Sequence, residues 1–185
     1  GATGSKPVGR AMNFLKRGGS MSGAGLGLVL LATLSADAFR TELVAANSAT
    51  AVLQGHCPTA TIKAERSKRP PKPAPDAVRA RLRLTGGDTI RHRRVRLTCG
   101  KRTYSVADNW YVPERLTPDM NRQLDGGDTP YGRAIAPLKA TRQTLTVSEP
   151  SGRHFLVVTA VLTSGDGAPL SVVVESYRRT VLRAP

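Results

Sequence analysis

Alternation of apolar and polar side chains is clearest from Thr89 to Thr98. There Arg91, Arg93, Val95, Leu97 and Cys99 fall on one side, and His92, Arg94, Arg96 and Thr98 on the other. A period of two is that of a strand with one face on a core, and only the first side carries the apolar bulk to face inward. Further strands are predicted over Ala60 to Glu65, Tyr104 to Val112, residues 144 to 149, His154 to Thr163 and Pro169 to Tyr177. Gly100-Lys101-Arg102 and Gly165-Asp166-Gly167 read as hairpin turns between consecutive strands.

Helical spacing appears in Phe39 to Ala46, with apolar residues at 39, 43, 44 and 46. Asn47-Ser48 breaks that run and offers a cap to a second short helix, Thr50 to Gln54, ending at Gly55. Asp76 to Leu84 is a helix candidate with Asp76 as cap. Thr117-Pro118 opens an amphipathic helix that stops at Gly126-Gly127 and runs into Thr129-Pro130. Met120, Leu124 and Trp110 are the expected apolar anchors of this cap. Between the first strand and Asp76, prolines 70, 71, 73 and 75 forbid a ladder. That basic segment reads as a solvated surface loop, with a docking tail as the alternative.

The chain has 185 residues, enough for one domain with a true core, and 39% hydrophobic residues. Its formal net charge of +15 is the unusual number. Such a balance points to polyanions, to membrane headgroups, or to an arginine-rich composition without a specific partner. No nucleic-acid partner is expected, because the cations are spread and no reading motif accompanies them. Residues 12 to 38 have the parts of a secretory signal: Lys16 and Arg17, an apolar run from Ala24 to Leu34, and the small triplet Ala36-Asp37-Ala38. The alternative is that they form the first helix of the domain. Residues 1 to 11 read as an upstream extension or cloning scar, and residues 39 to 185 as the domain. A processed signal would make the protein periplasmic or secreted, without stable membrane insertion; otherwise it is cytoplasmic.

Cys57 and Cys99 are either a disulfide or two buried thiols. They make no metal set with the scattered His56, His92 and His154. No GxSxG, Walker or HExxH motif is present, and no cofactor is expected. Two polar residues stand out because alternation turns them toward a core. Arg93 shares a face with Val95 and Leu97 and needs an anion or acceptor there. Glu175 shares a face with Ser171 and Val173 on the last strand, or else pairs with Arg178 or Arg179 at an edge.

The strand ending in Val112-Pro113, the Leu-Thr-Pro helix start, and the turn into Thr129-Pro130-Tyr131-Gly132-Arg133 together resemble the centre of the chorismate lyase family. Ser48-Ala49-Thr50 and Glu175 extend the resemblance over most of residues 39 to 183. It implies an α+β fold in a single domain: an antiparallel sheet of about five or six strands covered by helices, with two helical flaps over an internal pocket. It implies release of 4-hydroxybenzoate and pyruvate from chorismate without a cofactor, by a monomer. Arg93 would hold the ligand carboxylate, with Arg94 as the rival by ungapped counting. Glu175 would hold the ring hydroxyl, and the flaps at Ala49 and at Tyr131, Gly132 and Arg133 would touch the ligand. An exported, non-catalytic binder of an aromatic carboxylate, and a basic surface protein with no small-molecule site, are the alternatives.

Overall fold

The computed structural model describes residues 34 to 85 and 87 to 183. The expectations for residues 1 to 11 and for residues 12 to 33 fall outside them. Six strands make one antiparallel sheet: β1 (Lys63–Arg66), β2 (Arg91–Cys99), β3 (Arg102–Tyr111), β4 (Thr141–Ser148), β5 (His154–Thr163) and β6 (Pro169–Arg178), ordered β1-β2-β3-β6-β5-β4. The β2–β3 and β4–β5–β6 hairpins are local. The β3–β6 pairing joins the two halves, setting Asn109 opposite Val173 and Ala107 opposite Glu175. The architecture is α+β, as the sequence predicts.

Four helices cover one face of the sheet. They are α1 (Ala36–Ala45), α2 (Ala49–Gly55), α4 (Pro118–Gly126) and α5 (Tyr131–Ala134); the fifth helix, α3 (Asp76–Leu82), lies on the other face. Three of them carry side-chain caps, at α2 and α4 where the sequence suggests a start. Ser35, Ser48 and Thr117 each accept a bond from the backbone N–H three residues on, satisfying a donor that the helix cannot use. α1 begins three residues earlier than expected, so the Ala36-Asp37-Ala38 triplet is its first turn. Phe39, fully buried, packs its ring edge-on against Tyr177 at 5.4 Å. At α3 the cap position belongs to Pro75 and makes no side-chain bond, which puts Asp76 in the first turn, where its charge complements the helix dipole.

Trp110 does not anchor the α4 cap. Alternation along β3 sends it to the opposite face, where it packs with Val112, Val161 and Val172 under Val78 and Leu82 of α3. Its indole N–H donates to the Pro73 carbonyl at 3.2 Å. The proline-rich segment is therefore tied to the sheet, and Lys72 adds a backbone bond to His92 and an ion pair to Asp108. Met120 and Leu124 do anchor α4, within the main core.

Cys57, just past α2, is bonded to Cys99 at the end of β2, across a sequence separation of 42. The bond fastens the α1–α2 pair to the sheet. In the chain-entropy account a closed loop of this length contributes about 4 kcal/mol. Reducing the protein, or replacing both cysteines by alanine, is expected to lower stability by about that amount in urea unfolding. An unchanged midpoint would mean that the bond does not constrain the unfolded chain.

Candidate functional site

Two loops close over the middle of the helix-covered face. Asn47 to Thr50 leads into α2 from one side, and Thr129 to Gly132 leads into α5 from the other. They meet at Gly132. A Cβ placed there would stand 3.2 Å from the Thr50 hydroxyl and 3.7 Å from that of Ser48, so any side chain would push the Thr50 hydroxyl back by a few tenths of an ångström. Gly127 has a similar role at the end of α4, where a Cβ would lie 2.9 Å from the Gln123 carbonyl.

Beneath the loops lies a cavity of ≈ 40 Å³, lined by Ala49, Thr50, Tyr131 and Gly132 above and by residues of β2, β3, β4, β5 and β6 below. That volume suits about one or two waters and no aromatic ring. A larger guest therefore requires the loops to part. The sheet supplies Val95, Leu97, Ala107 and Val173 as apolar floor and Asn109, Arg142 and Glu175 as polar groups.

Arg93 stands beside this floor, opposite Asn109 in the β2–β3 register and two residues from Val95. It is 2% exposed. One terminal nitrogen, Nη2, donates to the Thr129 carbonyl at 3.0 Å; Nε and Nη1 are buried without a partner. No carboxylate pairs with it among the described residues: Asp125, the nearby acid, is engaged by Arg91 at 3.0 Å. Burial first, and then the positive charge of Arg66, push the Arg93 pKa below its ordinary value, against smaller opposing effects of Tyr111 and Asp125. Arg94 lies on the opposite face, where it joins His92 and Lys72 around the Asp108 carboxylate.

Glu175 lines the cavity and is ion-paired, but with neither Arg178 nor Arg179. Its partner is Arg142 of β4, at 2.9 Å, with the side chains 8% and 2% exposed respectively. Arg142 also donates to the Leu43 carbonyl and the Thr144 hydroxyl. The Tyr177 hydroxyl beside this pair has its pKa raised, first by burial and then by the Glu175 charge. Burial likewise raises that of Tyr131, with the Ser171 hydroxyl working against the shift.

Ala49, Tyr131, Gly132 and Glu175 thus share one cavity; Arg93 is not among its lining residues but pairs with Asn109, which is. Arg133 turns away, its Nη1 donating to the Ile62 carbonyl at 3.3 Å. Arg142 and Asn109 are the functional candidates that sequence reasoning missed. Both could be found by extending the alternation: Asn109 faces inward with Ala107 and Tyr111, and Arg142 is the charged residue at the start of an otherwise uncharged strand.

No family model matches the chain. A protein of Sinorhizobium fredii (strain NBRC 101917 / NGR234), named Uncharacterized protein y4mC, is 36% identical over 188 aligned residues, spanning 85% of this chain and 77% of the relative. The crystal structure of the effector domain of PhnF from Mycobacterium smegmatis superposes with a TM-score of 0.53 at 11% identity, covering 71% of this chain and 88% of that one. The crystal structure of PhnF from the same organism gives 0.54 at 11% identity, covering 75% and 66%. At such identities the likeness is one of fold, here the chorismate lyase-like arrangement of sheet and helices.

The two buried arginines are expected to behave oppositely. Arg142→Met leaves Glu175 buried without its counter-ion and should cost about 3 to 5 kcal/mol. Arg93→Met removes a desolvated charge that no acid compensates, and should be neutral or stabilising by about 1 to 3 kcal/mol without ligand. Urea unfolding of both variants checks this. A large loss from Arg93→Met would mark it as a structural ion.

Proposed function

This chain belongs to the family of the Sinorhizobium fredii protein y4mC, and we propose that it is a small-molecule-binding domain whose cavity takes a carboxylate on Arg93. The carrying observation is the buried guanidinium with two unpaired N–H groups. A carboxylate accepts charge-assisted bonds from such a group, and buried bonds of this kind are stronger than those at the surface. Asn109 extends the polar edge, and the apolar floor of Val95, Leu97 and Val173 suits a ring attached to that carboxylate. The effector domain of PhnF, which has this fold, supports a binding role.

A lyase acting on chorismate is the second reading, favoured by Glu175 lining the same cavity from β6. Losing pyruvate from chorismate aromatises the ring, so the protein would need only to hold the reactant in a dry, shaped space. Glu175, however, is held by Arg142 through a charge-assisted bond. That engagement favours a positioned acceptor for a ligand hydroxyl over a group that moves during reaction.

The bonded cysteines support a second proposal, that the domain works in an oxidising, extracytoplasmic compartment. Alkaline phosphatase joined after residue 45 should then be active in cells. An inactive, cytoplasmic fusion would exclude it.

Calorimetric titration of the full chain with 4-hydroxybenzoate should show saturable binding. Arg93→Met should weaken it by about 30-fold or more, as expected when a buried charge pair loses one member. Incubation with chorismate should yield no 4-hydroxybenzoate beyond the uncatalysed rate. Catalysed product would establish the lyase, and binding unaffected by Arg93→Met would overturn the assigned site.

A further inference from the structure

The other face of the sheet carries a groove of ≈ 490 Å³ whose lining includes Arg94, Arg96, Val106, Arg153, His154 and Arg178. Val106 lies four residues before Trp110 on the same outward side of β3. One wall is the basic run Arg66-Ser67-Lys68-Arg69, held down by a bond from the Ser67 N–H to the Arg94 carbonyl at 2.8 Å. Arg153 comes from the turn entering β5, and His154 is that strand's first residue.

Seven Lys and Arg residues line the groove, against one acid, Glu65. Three of them are occupied: Arg94 by Asp108, Arg96 by Glu65, and Arg66 by the Asp125 carbonyl. Lys68, Arg69, Arg153 and Arg178 have no carboxylate partner among the described residues. Nε of Arg178 and Nε2 of His154 are buried without any hydrogen bond. The His154 pKa lies below its ordinary value, first through burial and then through the charges of Arg178, Arg153 and Arg94. Four uncompensated cations in one concavity repel one another, a cost that a bound anion removes.

The lining also limits the guest. No Phe, Tyr or Trp is present, so the groove has no platform on which a base or sugar ring could stack. Arginine dominates, which suits planar, bidentate contact with oxyanions. Four cations converging on so small a space match several closely spaced negative charges better than a lone carboxylate.

We propose that this groove is a binding site for a compact polyanion of clustered phosphate groups, either a soluble polyphosphorylated molecule or the headgroup of a polyphosphorylated lipid. The site is separate from the carboxylate cavity, and neither reading depends on the other.

The probe is inorganic triphosphate, titrated calorimetrically into the full chain at fixed ionic strength. The groove pair Arg153→Ala/Arg178→Ala should bind at least about tenfold more weakly, while Arg79→Ala/Arg81→Ala, an equal charge change on exposed positions of α3, should stay within about twofold. Because Arg178 is half-buried, the loop pair Lys68→Ala/Arg69→Ala is run alongside and should weaken binding without touching the sheet. Equal losses in groove and control pairs, or no saturable binding, would overturn the proposal, as would a hexaglutamate peptide that binds as tightly. Phosphatidylcholine vesicles with and without phosphatidylinositol bisphosphate separate the two sources. Sedimentation that triphosphate reverses marks a lipid headgroup, and triphosphate binding without sedimentation marks a soluble ligand.

Discussion

Arg93 carries a charge into a place where water does not follow. Isolating a guanidinium from water costs several kcal/mol unless something acceptor-rich stands against it, and among the described residues its one hydrogen-bond acceptor is the Thr129 carbonyl. That bond fixes the loop before α5. The loop in turn lays Gly132 on Thr50, and the contact closes the cavity. On the proposed reading, a ligand at Arg93 and the opening of the two loops are linked through Thr129.

The sheet divides the molecule's polar chemistry by parity. On β2 the odd residues Arg93, Val95 and Leu97 serve the cavity side, while the even residues His92, Arg94 and Arg96 serve the other face. Trp110 and Asp108 on β3 belong to that other face too, and Asp108 neutralises part of its charge. A shift of one residue in register would exchange the two sets, placing Arg94 in the core and exposing Val95. The pairing of Arg93 with Asn109 is one expression of that register.

Much of this was legible in the sequence, for local reasons. Alternation located β2 and turned Arg93 inward, and Ser48 and Thr117 announced their helices. What was not legible came from distant partners. Trp110 was assigned to the α4 cap by nearness in sequence, yet strand parity carries it to α3. Glu175 was read as facing inward with Ser171 and Val173, with Arg178 or Arg179 as the only partners nearness in sequence could offer, but its counter-ion sits on β4, two strands away. The start of β4 was missed because Thr141 to Gln143 has little apolar content to signal a strand. The cysteine pairing needed the fold to bring the end of α2 to the end of β2.

The central claim is that the unpaired guanidinium of Arg93 awaits a carboxylate. A crystal structure of the protein grown with 4-hydroxybenzoate tests it most directly. A bound carboxylate is expected with an oxygen about 3 Å from Nε or from Nη1, and with the loops at Thr50 and Gly132 parted to admit the ring. A ligand seated elsewhere, with those two nitrogens still bare or paired to an acid of the protein itself, would contradict it.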